Sequence, residues 1–146
     1  MSNLFAGQDE IIAILQEKMD AKYKNAIRKA FDLEDIKHQS QFLGIYVTSP
    51  NSEPFDVLKP NLHQIEINQT WIIYIVFKDA RGVASSLNEI GEVFYSIIKN
   101  LQGKYLTNAS KRLDFLRQAG AFVEKENKIC FLPVFFRNGM FITGDI

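Results

Sequence analysis

The stretch from Gln64 to Lys78 constrains this chain more than any other, because its alternation of side chains fits one long β-strand. Successive residues of a strand point to opposite faces. Ile65, Ile67, Trp71, Ile73, Ile75 and Phe77 therefore share one face, and that face belongs to a core. The other face begins polar at Glu66, Asn68 and Thr70 and turns apolar at Ile72, Tyr74 and Val76. A sheet with helices on one side needs a single apolar face, so the second half of this strand requires a further cover. Another part of the chain or a second subunit would supply it.

The chain has 146 residues, enough for one domain with a substantial core, and positions 1–146 are expected to form that single domain. Its 17 basic and 17 acidic residues leave no overall field to draw DNA, RNA or an anionic membrane, so nucleic acid is not expected as the main partner. Twelve Phe, five Tyr and one Trp are a heavy aromatic load, suited to a core and to buried subunit contacts. Cys130 is the only cysteine, which excludes an intrachain disulfide and a cysteine-based zinc site. Its neighbours Ile129, Phe131 and Leu132 mark it as a small buried hydrophobe. The first residues carry no basic and apolar leader pattern, and no stretch approaches the ~20 apolar residues of a membrane span. A soluble protein that folds in the cytoplasm is the expectation.

Along the chain, Ile12, Leu15, Met19, Tyr23, Ile27 and Ala30 recur at helical spacing and predict a helix from Asp9 to about Phe31. Lys18, Lys22 and Lys24, interleaved with Glu17 and Asp20, read as its solvated face. Asp32 to Gln41 reads as a polar connector in which Leu33 and Ile36 are able to dock, and His38 there has no second metal-binding residue nearby. Phe42 to Thr48 predicts a short, well-buried strand in which Gly44 signals a bulge or a close neighbour. Ser49 to Leu62 holds Pro50, Pro54 and Pro60, which disfavour regular structure and predict a long loop. Phe55, Val57 and Leu58 at its centre either fold back or are offered to a partner. His63 beyond it has no matching ligand.

After the long strand, Asp79 to Gly82 predicts a turn. Ser86 and Glu89 have the spacing of a capping box, and Leu87, Ile90, Phe94, Ile97, Ile98 and Leu101 mark a second amphipathic helix that stops at Gly103. Gly91 inside that helix suggests close packing on a neighbour. The variable segment 104–118 leaves a short helix or a strand open, with extended structure favoured. Ala121 to Lys125 and Lys128 to Arg137 form a hairpin pattern. Its second arm is apolar on both faces, with Cys130, Leu132, Val134 and Phe136 on one and Ile129, Phe131 and Phe135 on the other. Pro133 belongs at an edge or bulge, and Asn138-Gly139 reads as a turn.

A search for chemistry finds no phosphate loop, nucleophile elbow or metal-binding helix. Acidic pairs such as Asp9 with Glu10 and Glu34 with Asp35 lie at a helix start or in a polar connector, where nothing desolvates a carboxyl for acid catalysis. No catalytic residue, cofactor site or metal site is assigned.

The order of helix, strand, Pro-rich loop, long strand, helix, variable segment and aromatic-rich hairpin resembles the tail-terminator proteins of long-tailed bacteriophages, especially the Mu-like branch of contractile-tailed phages and prophages. The resemblance runs from Ile11 to Arg137. It rests on Phe42 to Val47 with its trailing loop, Trp71 to Phe77, the Gly82 turn, Leu87 to Gly103 and Ile129 to Phe136. It implies an α+β fold, a mainly antiparallel sheet of about four to five strands with two amphipathic helices packed on it. It further implies a non-enzymatic protein that forms a homo-oligomeric, hexameric ring on the head-proximal end of the tail tube, stops tube growth and offers a surface to neck or head-completion proteins. Such a protein assembles in the host cytoplasm and ends in the virion tail. A small cytosolic enzyme or ligand-binding domain, or another neck or tail-completion protein, are the competing readings. The residues expected at an interface come from the double-sided strands and the loop, not from the family: Phe55, Val57, Leu58, Ile72, Tyr74, Val76, Phe131 and Phe135.

Overall fold

A computed structural model describes residues 6–37, 43–54, 64–78, 83–124 and 129–143. Their elements are α1 (Ala6–Lys18), a 3-10 turn (Ala21–Ala26), β1 (Ile27–Lys29), α2 (Leu33–Lys37), β2 (Leu43–Val47), β3 (Asn51–Pro54), β4 (Gln64–Lys78), α3 (Val83–Leu101), β5 (Ala109–Gln118), β6 (Phe122–Glu124) and β7 (Ile129–Thr143). The fold is α+β, as the sequence predicts. The sheet has seven strands in the order β1-β2-β4-β7-β5, with β3 also on β4 and β6 also on β7. It is mixed, because β1 runs parallel to β2 while the other pairs are antiparallel.

The long strand is β4, and β7 pairs with it along its whole length from Gln64↔Thr143 to Lys78↔Ile129. This pair is the spine of the molecule. Pro133 lies within it, opposite Tyr74. The Pro133 carbonyl accepts from the Ala119 N–H at 3.1 Å, so its backbone faces the β5 and β6 side. There β5 ends opposite Val134 and β6 begins opposite Phe131, so the missing N–H falls at a break between two short strands.

One face carries the main core. Ile11 and Leu15 of α1, and Ile90, Val93, Ile97 and Leu101 of α3, pack on Trp71, Ile73, Ile75, Phe77, Val134 and Phe136. Each such aliphatic side chain, fully buried, contributes about 1.5–3 kcal/mol relative to exposure. Trp71 anchors this core. It is fully buried and its Nε1–H donates to Asn138 Oδ1 at 2.8 Å. A Cβ on Gly7 would come within 2.8 Å of its ring, so α1 lies flat on the indole only because it carries glycine there. Gln8, also buried, donates to the carbonyls of Ala30 at 3.0 Å and Val47 at 2.8 Å and ties α1 to the β1–β2 edge.

Several expectations change. The first helix stops at Lys18, because Asp20 caps a separate 3-10 turn and Ile27–Lys29 joins the sheet beside β2. Met19, Tyr23, Ile27 and Ala30 are buried all the same. The polar connector contains α2, whose N-terminus is closed by Asp32 accepting from Asp35 N and Asp35 accepting from Phe31 N. The start of the predicted loop is β3, which pairs with Ile67 to Thr70, while positions 55–63 lie outside the described residues. Helix α3 begins at Val83, so Ser86 sits inside it and is not its cap; the predicted turn at 79–82 lies outside the described residues. A Cβ at Gly91 would meet no described atom within 4 Å, so close packing does not explain that glycine. Asn138-Gly139 is no turn, since β7 runs straight through it.

Other features follow the sequence. Gly103 ends α3 with φ of 81°, and segment 104–118 is extended from Ala109 onward. The close neighbour of Gly44 is the Tyr46 ring, which folds back over it.

Candidate functional site

The second sheet face divides into a covered and an open half. Near one end, Val76, Ile129, Phe131 and Tyr46 form a smaller core with Ala30 and Ile36, and Leu33 and Tyr74 pack against it. The apolar surface that the sequence assigned to a neighbouring subunit is thus partly closed by residues 30–37 of the same chain. Val76 is 4% exposed and Phe131 0% exposed, so neither is presented to a partner in this structure. Phe122 stacks on Phe131 with ring centroids 5.0 Å apart and closes that end further.

Toward the middle of the face, Ile72, Tyr74 and Phe135 remain half-buried. Ile72 and Phe135 are direct partners across the β4–β7 ladder, and Tyr74 lies two residues on along the same face. The Arg117 guanidinium sits 5.0 Å over the Phe135 ring. Burial pushes the Tyr74 phenol above its ordinary value. These three side chains are the open remainder of the predicted interface. Phe55, Val57 and Leu58 lie outside the described residues.

Beyond them the face turns polar and basic. Strand β5 loses register with β7 between Lys111 and Asp114, and a dent of about 460 Å³ lies there between β5, β7 and the end of α3, lined by Asn68, Gln102, Tyr105, Arg112, Asp114 and Arg137, among others. The carboxylates beside the dent are already engaged. Asp114 accepts from Gln102 Nε2 at 2.9 Å, and Glu66 accepts from the Ser110 hydroxyl at 2.8 Å. That second bond crosses above Gly139, where a Cβ would collide with the Ser110 hydroxyl. Arg112 lies 4.9 Å over the exposed Tyr105 ring. Lys18–Glu17, Lys29–Asp9 and Lys37–Glu34 form ion pairs elsewhere on the surface. Sequence reasoning left segment 104–118 without a role. Its signal was the excess of Lys104, Lys111, Arg112 and Arg117 over Asp114 alone, in a chain that is neutral overall.

The outer edge of β5 is closed by the end of α3. Gly103 N donates to Leu113 O and Leu113 N to Lys104 O, both at 2.8 Å, and the Gln102 side chain accepts from Phe115 N at 2.7 Å. An edge satisfied in this way is a poor template for an added strand.

Among the described residues no three His, Cys, Asp or Glu side chains gather to hold a metal ion, and no helix is long and apolar enough to cross a membrane. No family model and no curated protein sequence matches the chain. The fold is similar to that of a chain in the solved structure "Virion of native gene transfer agent (GTA) particle", with a TM-score of 0.65 and 16% sequence identity over 94% of this chain and 98% of that chain. At that identity the two share a fold over nearly their entire lengths.

Proposed function

We propose that this chain is a structural assembly protein of a phage-like particle, a tail terminator that closes the head-proximal end of the tail tube as a ring. The observation that carries the proposal is the end-to-end fold match to a chain of a gene transfer agent virion. A fold alone does not specify a function. The sequence resemblance to tail terminators points the same way, however, and the open apolar patch of Ile72, Tyr74 and Phe135 gives such a protein a surface for a second copy. On this reading the chain contacts itself, the tail tube protein and a neck or head-completion protein, and it acts by occupying a growing end and not by chemistry. A ring requires a heterologous contact, in which one patch meets a different patch of the next copy, and closure follows when the rotation between copies completes a circle. The protein would assemble in the host cytoplasm and remain in the virion.

The matched particle's printed name covers a whole virion, so another neck or tail-completion role draws the same support. Genomic context separates these readings from an unrelated one: a gene beside tail-sheath and tail-tube genes is expected, and a place within a metabolic operon would end the proposal. The biochemical test is solution mass across protein concentrations, with and without tail tubes. Ring formation on tubes is expected even if the isolated chain is monomeric. A chain that stays monomeric and leaves tube ends bare refutes it.

A further inference from the structure

We infer that copies of this chain meet through two different surfaces: the open sheet patch of one, Ile72, Tyr74 and Phe135, and an apolar flank of helix α3 on the next. The inference rests on the assembly reading and names the surfaces that join in it. Helix α3 carries more apolar surface than its own core uses. Ile90, Val93, Ile97 and Leu101 are its buried stripe. Gly91, Phe94, Tyr95 and Ile98 repeat at i, i+3, i+4 and i+7 and form a second stripe beside it. Phe94 and Ile98 are half-buried, with Phe94 meeting Phe115 of β5 edge to face at 6.0 Å, whereas Tyr95 is 68% exposed. A single exposed aromatic is ordinary, but one that continues an apolar stripe marks a contact surface. Gly91, one turn before Tyr95, costs the helix about 1 kcal/mol relative to Ala, and no described atom comes near its Cβ position. Its missing side chain lets a surface from outside approach the helix backbone closely there.

Direction and charge select a second copy as the occupant. Gly91, Phe94 and Ile98 each follow a residue of the buried stripe by one position, so the second stripe is turned from the first by about 100°. The flank therefore faces sideways from α3, while the open sheet patch, on the face opposite to the main core, points straight away from it. Patches set at such an angle carry successive copies around a circle, whereas patches on opposite sides would stack them in a line. The charges also correspond. At the margin of the sheet patch, Arg117 lies over Phe135, and Asp114, three residues away on β5, keeps its charge beside the neutral Gln102. On α3, Glu92 and Lys99 are exposed to either side of Tyr95 along the helix. Each pair spans about 10 Å of its own element, so Arg117 faces Glu92 when Asp114 faces Lys99. Glu92 is within electrostatic reach of Lys22 of its own copy and stays exposed.

Cysteines placed in the two surfaces test the contact with full-length chain on tail tubes. Tyr95→Cys and Ile72→Cys are made singly, mixed, and treated with a short bismaleimide, with the unsubstituted chain, whose Cys130 is buried, as the blank. Covalent pairs are expected from the mixture and not from either variant alone, and a chain carrying both substitutions should give a ladder of products up to the closed ring. Gly91→Glu, at an exposed position where circular dichroism should show the isolated chain still folded, should raise the concentration needed to cap tubes about tenfold or more by burying an unpaired charge. Lys18→Glu should leave that concentration unchanged. Rings of the mixture without a link between positions 72 and 95, a link formed within one variant alone, or capping indifferent to Gly91→Glu each overturns the inference and leaves the assembly reading intact. Failure of the unsubstituted chain to cap tubes overturns both.

Discussion

Trp71 is held on three sides: its ring lies beneath Gly7 of α1, its N–H is bonded to Asn138, and its strand partner is Phe136. Asn138→Leu keeps the bulk but leaves the indole N–H buried without an acceptor, which should cost about 1–3 kcal/mol, measured by urea unfolding. Loss of less than a few tenths would mean that the indole finds another partner. Gly139 has a related constraint, and Gly139→Ala should force the Ser110 hydroxyl off Glu66 at a cost of about 1 kcal/mol that shrinks in a Ser110→Ala background. Tyr46 supplies the pH dependence. Its phenol is pushed above the ordinary value chiefly by burial, with Asp35 acting in the same sense and Arg28 opposing. The unfolded chain loses this proton near about pH 10 while the folded chain retains it, so stability is complete below that value and falls as the pH rises through the folded pKa. Tyr46→Phe should flatten that alkaline fall above about pH 10, and an unchanged slope would exclude Tyr46 as its source. None of these residue-level constraints was readable in sequence. Asn138-Gly139 has the composition of a turn, and only the β4–β7 register reveals that the pair serves Trp71 and the Ser110–Glu66 bond instead.

At the scale of elements, the strong periodic segments were legible and the short ones were not. The β4 strand, β7 as far as Arg137, helix α3 and its stop at Gly103 follow from alternation, helical spacing and one glycine. The first helix was over-extended because Tyr23, Ile27 and Ala30 keep a helical spacing while burying themselves from a 3-10 turn, a three-residue strand and the residue after it. Pairing of β1 with β2 is a long-range event that no local pattern announces. Helix α2 is too short to hold itself. It stands because Ile36 is buried in the second core, so Ile36→Ala should cost about 2–5 kcal/mol and increase binding of an apolar dye as Val76 and Phe131 are uncovered. Gly91 offers the opposite case: it is exposed in α3 with open space at its Cβ, so Gly91→Ala should raise stability by about 1 kcal/mol. A loss instead would reveal a close contact made only in an assembly.

For the whole molecule, the surplus apolar surface of β4 and β7 has two destinations. One end is closed by the chain's own residues 30–37, and the middle, with Ile72, Tyr74 and Phe135, remains open beside a basic dent. The sequence revealed that two faces were apolar and that Leu33 and Ile36 were able to dock, but not that they dock on the second face, since that contact is made with residues far along the chain. Val76→Glu and Ile72→Glu should therefore separate. The first places a charge in a core and should unfold the chain, whereas the second should leave a folded chain that assembles poorly; equal loss of stability would contradict the division of the face. Charge changes at the exposed Lys18 should affect neither property. The proposed role of this fold is to end a tube. Electron microscopy of tail tubes grown from their own tube protein, with and without this chain, tests it most directly. Added protein should cap one end as a ring and arrest growth. Tubes that lengthen unchanged with bare ends would contradict it.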